Sequence, residues 1–478
     1  MIAPQFHPGE VRGQCEPHGK MGFALTPRSI ALLLAGFAFL VFGLWDVRLS
    51  YAMLAWDALV LLAALLDGMR LPKAENLAAT RRWSNAPSLD SQTEIELTIE
   101  NRGSVILECR LTDDLPAALM DATAHSEPLL VTAFPRVPAS VRYRIEPQER
   151  GDCTTGLLYV RYRSPLGLAE RWAKAPLTQT VRVYPMLRTS EEQQIFLARS
   201  RQIDLQLRQT RQRGLGRDFE SLREYREGDD LRDICWTASA RRGNLITRQY
   251  QTERSQPVWI VLDCGRLMRS RVVAAPQAHA AMPLASGSLR AHSKLDHACS
   301  TAVALAQLAL FSGDRVGLLA YGQTVQQRLL PGRGAAHLRQ MIELLAQVRA
   351  ESSEADHLRA TALMGRLQPR RSLILWITDL AETAMRPEVI DGAMQLLRRH
   401  VLLFVAMAQP EVDAIAQERP KTVEQMFRSA AAQELAGRRE LLIARLHEQG
   451  ALTLDLNPEA VTSSVLNQYL MVKERAMV

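Results

Sequence analysis

The first hundred residues change their hydrophobic pattern twice. Ile30–Trp45 carries no charge. Extended from Ser29 to Val47, this run gives about 28 Å of helix, close to a hydrocarbon core of ~30 Å. Leu49–Leu66 gives about 27 Å and is interrupted by Asp57, whose cost of ~3 kcal/mol the surrounding Leu and Ala offset. The pattern predicts a transmembrane helical hairpin over residues 29–67, behind an N-terminal tail, residues 1–28. A signal peptide followed by a buried helix fits less well, because no small-residue cleavage site separates the runs. Arg12, Lys20 and Arg28 precede the hairpin and Arg70, Lys73, Arg81 and Arg82 follow it, with Arg48 in the turn, which puts both ends in the cytoplasm. Asp57 is expected to pair with a neighbouring helix or to sit in an imperfect span, rather than to carry ions.

From about residue 90 the period is two. Glu94–Glu100, Val141–Ile145, Leu158–Tyr162 and Val181–Tyr184 alternate polar with apolar residues, and turn signals such as Asn101-Arg102-Gly103 and Ser164-Pro165-Leu166-Gly167 separate such runs. Residues 85–187 are therefore predicted to form an all-β sandwich. Residues 188–256 form a charged linker, helical over Glu191–Arg208. Residues 257–478 then alternate apolar runs with amphipathic helices. The strands are Val258–Leu262, Val316–Ala320, Ser372–Thr378, Val401–Ala406 and Leu452–Leu456. The helices are Ser293–Phe311, Ala336–Gln347, Pro387–Arg399, Ala430–Gln449 and Pro458–Lys473. That alternation predicts a doubly wound parallel sheet, whose ligands sit at the carboxyl ends of strands, where Asp263 and Asp379 fall.

Composition adds exclusions. A 47% hydrophobic and 23% charged composition is ordinary for a globular chain, and a net charge of +7 over 478 residues is too dilute to imply nucleic acid. Six scattered cysteines form no zinc spacing and no disulfide framework. Walker A, HExxH, GxSxG and a strand-linked GxGxxG are absent from the sequence.

A long signature runs through Arg213-Gly214-Leu215-Gly216-Arg217-Asp218-Phe219, Leu222-Arg223-x-Tyr225-x-x-Gly228-Asp229, Arg232-x-Ile234-x-Trp236 and Ala238-x-Ala240-Arg241. It continues in Ser293-Lys294-Leu295-Asp296-His297, Gly313-Asp314-Arg315-Val316-Gly317-Leu318, Thr378-Asp379-Leu380 and Asn467-x-Tyr469-Leu470. Over residues 25 to 475 the chain resembles the domain of unknown function 58 family. The resemblance implies a bacterial membrane-anchored protein with an N-terminal hairpin, an Ig-like β domain and a von Willebrand factor A-like α/β domain. It also implies a MoxR-type AAA+ ATPase as partner and a transglutaminase-like membrane protein as a second associate.

The von Willebrand resemblance implies a metal-ion-dependent adhesion site holding Mg²⁺ through an Asp-x-Ser-x-Ser loop, a Thr and a further Asp. Here that loop reads Asp263-Cys264-Gly265-Arg266-Leu267, so both serine hydroxyls are missing. Either Asp263 and Asp379 hold the cation through waters, with Asp356 or Thr361 contributing, or these carboxylates cap helix N-termini or meet the arginines of the signature. The missing hydroxyls favour the second reading. The signature's arginines alternate with acids, so Phe219, Tyr225 and Trp236 are expected to anchor it on the sheet. Cys235 has no adjacent histidine that would make it a nucleophile, and His297, at a helix start, reads as structural. Residues 271 to 292 read as an inserted flexible loop after the Asp263 strand.

The expected function is an interaction protein anchored in the bacterial inner membrane by two spans, in contact with its lipid. Termini and globular domains are cytoplasmic, and the protein acts with the ATPase on an envelope client, without nucleic acid. The competing expectation is a metal-dependent envelope hydrolase using Asp263 and Asp379.

Overall fold

The computed structural model describes residues 9–18, 24–43, 47–89, 91–119, 128–186, 194–202, 218–226, 231–251, 256–273, 291–380 and 388–475. They divide into two compact units, one reaching from the N-terminus to Leu187 and the other comprising Arg188–Ala274 with Ala291–Val478.

The first unit begins with three short strands, β1 (Val11–Gln14), β2 (Glu16–Pro17) and β3 (Ala24–Leu25). Two helices follow, α1 (Pro27–Gly43) and α2 (Val47–Arg70). Then come β4 (Leu77–Trp83), β5 (Thr93–Asn101), β6 (Leu107–Asp113), β7 (Leu129–Ala133) and β8 (Ala139–Ile145). The unit closes with β9 (Gly151–Thr155), β10 (Leu158–Arg163), β11 (Ala169–Ala175) and β12 (Gln179–Val183). One antiparallel sheet runs β1-β4-β5-β8 and another β2-β11-β10-β6-β7. Their inward residues, among them Ile95, Leu97 and Ile99 from the first and Leu111, Val160 and Tyr162 from the second, form one core. Alternation along β5 is complete, every second residue being buried, as a strand with one face on a core requires.

The N-terminal segment is no free tail: β1 pairs with β4, while β2 and β3 pair with β11. Arg81 does not flank a membrane. It is 0% exposed and spends its guanidinium on Asp113, on Thr155 Oγ1 (2.8 Å) and on the Leu177 carbonyl (2.8 Å). A guanidinium so satisfied is a structural cation, whereas Arg70, Lys73 and Arg82 are exposed.

The helices α1 and α2 lie side by side, Trp56 Nε1 donating to the Leu32 carbonyl (2.9 Å) and Asp57 packing against Gly36. A Cβ at Gly36 would come within 2.6 Å of Asp57 Oδ1, so only glycine admits the carboxylate there. Asp57 Oδ1 has no hydrogen-bond partner. Among the described residues, Tyr51–Arg70 is a helix long and apolar enough to cross a membrane, and Pro27–Gly36 is a shorter apolar helix.

In the second unit, residues 194–202 are helical. There follow β13 (Asp218–Glu224), α3 (Trp236–Arg242), β14 (Ile246–Gln251), β15 (Pro257–Asp263), β16 (Arg271–Val273) and β17 (Ala291–Ser293). Next are α4 (Lys294–Phe311), β18 (Arg315–Tyr321), β19 (Val325–Gly332), α5 (Gly334–Gln347), α6 (His357–Leu367) and β20 (Leu373–Thr378). Last come α7 (Glu388–Leu397), β21 (Val401–Met407), α8 (Pro410–Gln417), α9 (Val423–Glu448), β22 (Leu452–Leu456) and α10 (Val461–Glu474).

The main sheet has the order β19-β18-β15-β20-β21-β22. Taken in chain order its strands lie 3-2-1-4-5-6, the doubly wound arrangement, with the order reversing beside β15. The sheet departs from the all-parallel expectation at one edge, where β19 returns antiparallel on β18 through a tight turn. Strands β15, β20 and β21 are buried almost throughout because helices cover both faces. The apolar helix α4 is mostly buried, capped by Ser293. The expected inserted loop has its two ends paired as β16 and β17, and residues 274–290 lie outside the described residues.

Candidate functional site

Both strand-end carboxylates sit at the point where the strand order reverses. Asp263 closes β15, and Asp379 follows the last residue of β20. Thr378 Oγ1 donates to Asp263 Oδ2 (2.6 Å) and the Gly265 backbone N–H donates to Oδ1 (2.7 Å). Burial pushes the Asp263 carboxyl up and nearby Asp379 adds to this, against the pull of His357, Thr378 and Gly265.

Asp379 is answered by cations. Its Oδ2 accepts from Lys294 Nζ (2.5 Å) and Gln409 Nε2 (3.0 Å), and its Oδ1 from Arg439 Nη1 (3.3 Å). Lys294 also donates to the Met407 carbonyl (3.4 Å). Arg439 turns its other edge to Asp455, with Nη2 2.6 Å from Oδ1. Lys294 is 1% exposed and Asp379 0%, so the pair is sealed from water. Burial pulls the Lys294 ammonium down and Asp379 opposes it. Burial also works against the Arg439 guanidinium, but Asp455 and Asp379 outweigh it and hold its pKa above the ordinary value.

Local chemistry explains how the lysine arrives there. The Ser293 side chain accepts from Asp296 N (3.1 Å) while the Asp296 side chain accepts from Ser293 N (3.1 Å), a reciprocal cap that fixes the first turn of α4. Lys294 is the first residue of that turn. A cation there opposes the helix dipole by ~0.3–1 kcal/mol, which a buried carboxylate at hydrogen-bond distance offsets.

The loop after β15 is closed from above by residues 351–356. Glu351 N donates to the Cys264 carbonyl (2.7 Å) and Arg266 N to the Ser353 carbonyl (2.9 Å). A Cβ on Gly265 would meet Ala355 N at 2.9 Å, so the serine missing from this position has no room. Asp356, one expected contributor to a cation, caps α6 by accepting from Arg359 N (2.8 Å). Thr361, the other, lies within α6 and donates back to the carbonyls of His357 (3.0 Å) and Leu358 (2.9 Å). Among the described residues, no three His, Cys, Asp or Glu side chains converge as metal ligands.

Behind Asp263 lies a buried polar chain that the sequence did not announce. Trp376 Nε1 donates to the Tyr321 hydroxyl (2.8 Å), which is 2.8 Å from His357 Nδ1. Burial holds the His357 imidazolium below its ordinary range, Asp263 pulling the other way. Its members come from β20, β18 and α6, so no local spacing could have grouped them.

The signature segment is a separate surface. The strands β13 and β14 form an antiparallel hairpin, and α3 joins it through Cys235 N, which donates to the Ile246 carbonyl (2.8 Å). Trp236, expected to pack inward, is 66% exposed, and Leu231 is 67% exposed. Trp236 opens α3, while Ile234, Cys235 and Ser239 take the buried positions. Leu222 and Leu245 are also exposed, Tyr225 is half-buried, and Ala240 and Arg241 face solvent. Arg223 Nη1 donates to the Glu224 carbonyl (3.0 Å). Hydrogen bonds from Thr237, the Ala238 backbone and Arg248 lower the Cys235 thiol to about 7. Gly214, Gly216, Gly228 and Asp229 lie outside the described residues, as do the side chains of Phe219 and Arg232.

Residues 221–417, which contain most of this hairpin, α3 and both strand-end carboxylates, match the family model described as protein of unknown function DUF58. Over that segment, less than half of its length, the chain is similar to the DUF58 family. No curated protein matches the chain. Among solved structures, the chain is similar to the conserved hypothetical protein BatB from Bacteroides thetaiotaomicron (14% identity, 46% of this chain and 100% of that one, TM-score 0.29). It is also similar to the SpRpn10 VWA domain (11%, 45% and 95%, TM-score 0.24). A third likeness is to an uncharacterised membrane spanning protein from Vibrio fischeri (14%, 45% and 98%, TM-score 0.16). At these scores the strand order, and not the likenesses, carries the doubly wound α/β fold of the second unit.

Proposed function

We propose that this protein is a membrane-anchored interaction protein. Its α/β unit, read as von Willebrand factor A-like, presents the signature surface to a MoxR-type AAA+ ATPase during assembly or remodelling of an envelope client. The observation that carries this reading is the outward placement of Trp236 and Leu231 within the family segment. Tryptophan is among the residues most enriched in binding hot spots, and burying an exposed one in a partner recovers free energy that exposure to water forfeits. The carboxylates at the strand ends are occupied by the chain's own cations and hydroxyls, which leaves that place poorly suited to a substrate.

Anchoring rests on the apolar helix ending at Arg70 and on its continuation into the β unit. Two spans, a cytoplasmic location for both termini and a bacterial inner membrane complete the proposal, with a transglutaminase-like membrane protein as a further associate. Cysteine accessibility to a membrane-impermeant reagent in intact cells tests the topology: cysteines placed near residues 10 and 440 are both expected to be shielded. Labelling of either from outside contradicts it. Recovery of an AAA+ ATPase with the detergent-solubilised protein, in the presence of a slowly hydrolysed ATP analogue, tests the partnership; reproducible failure contradicts it.

A further inference from the structure

We propose that Lys294 is a tethered cation that takes the place of a divalent ion at the strand-end site, so that this unit folds and works without a metal there. The donor set does not fit Mg²⁺, which wants near-octahedral oxygen ligands at ~2.0–2.1 Å. Both oxygens of Asp379 face positively charged side chains, Lys294 on one and Arg439 on the other. Both oxygens of Asp263 are engaged by Thr378 and Gly265. The loop's own glycine is backed by Ala355, Asp356 caps a helix and Thr361 bonds within its helix. A metal would have to displace an ammonium that has no route to water, since Lys294 is itself sealed and bonded to Asp379 and Met407.

Lys294 and Arg439 stand against Asp379 and Asp455, linked in one chain of ion pairs, and Glu411 and Asp413 add negative charge that acts on Lys294 and Arg439. Such a network is self-contained only while every member is present, because a buried charge left alone costs far more than the intact pair contributes. The chain joins the first turn of α4, the end of β20, α9 and β22, so the tethered ammonium holds together elements that a bound ion would otherwise gather.

The test uses the full-length protein in detergent, with unfolding followed by tryptophan fluorescence and Mn²⁺ binding followed by electron paramagnetic resonance. The wild type is expected to melt at the same temperature in EDTA and in millimolar Mg²⁺, and to bind no stoichiometric Mn²⁺. Lys294→Met is expected to lower Tm by about 10 °C in either condition. The double variant Lys294→Met/Asp379→Asn is expected to regain part of that loss, since it removes the stranded charge; it also serves if the single variant does not fold. One saturable Mn²⁺ site in the wild type that Asp379→Asn abolishes would overturn the proposal. So would an unchanged Tm in Lys294→Met.

Discussion

The ammonium of Lys294 lies 2.5 Å from Asp379 Oδ2, and neither side chain reaches solvent. Removing the carboxylate leaves Lys294 and the nearby Arg439 guanidinium without their shared anion. Asp379→Ala is therefore expected to cost ~3–5 kcal/mol of stability, measured as a lower denaturant midpoint for the second unit. A loss below ~1 kcal/mol would place the pair among the weak, solvent-screened kind.

Arg81 plays the corresponding part in the β unit. It bridges Asp113, Thr155 and the Leu177 carbonyl, and Tyr143 adds its hydroxyl to Asp113. Arg81→Met strands a carboxylate whose side chain is 4% exposed, and is expected to cost ~3–5 kcal/mol. Urea melts of this variant beside Arg82→Met separate the effect from surface charge, because Arg82 is exposed and its removal is expected to change stability by less than ~0.5 kcal/mol.

The last turns of α2 are joined to the β unit through Asp67. Its Oδ1 accepts from Ser164 Oγ (2.6 Å), and its Oδ2 accepts from the backbone of Leu168 and of Ala169 (both 3.1 Å). Asp67→Ala leaves two backbone donors and a hydroxyl unmet, at ~1–3 kcal/mol for each buried group left unsatisfied. Amide exchange at Leu168 and Ala169 is expected to accelerate at least tenfold, an outcome read by hydrogen-exchange mass spectrometry. Unchanged protection would show that helix and strand are held by other contacts.

Burial first, and the charge of Arg399 second, hold the His400 imidazole below its ordinary pKa of about 6.5. Its Nδ1 lies 3.0 Å from Ser372 Oγ. A base with a depressed folded pKa contributes stability that is complete above the unfolded pKa and is lost as pH falls toward the folded one. The wild type is expected to lose Tm between about pH 7 and pH 5, and His400→Asn, which keeps a polar group near Ser372, is expected to lose less. Parallel slopes for the two proteins would remove His400 from the acid response.

Period and run length made much of the fold legible. The run Leu452–Leu456 coincides with β22, and Ser293 caps the helix that ends at Phe311. The alternation in Glu94–Glu100 lies within β5. Signals that depend on distant partners were not legible. Strands β1 to β3 are too short to show a period and exist only by pairing with β4 and β11. The antiparallel course of β19 depends on a turn at 322–324, which no hydrophobic count marks. At the site, the strand-end positions of Asp263 and Asp379 could be read from the chain. Lys294 was visible only as part of a motif, because its partner lies 85 residues away. The alternation of arginines and acids in the signature points its aromatic residues inward, and the exposure of Trp236 reverses that for its position.

The most direct test of the interaction reading is co-purification of the detergent-solubilised protein, wild type against Trp236→Ala, with a slowly hydrolysed ATP analogue present. Trp236 is exposed, so its removal is expected to leave Tm unchanged. The expected result is an AAA+ ATPase recovered in near-stoichiometric amount with the wild type and reduced at least tenfold with the variant. Absence of the ATPase from the wild-type complex, or equal recovery with both proteins, would contradict it.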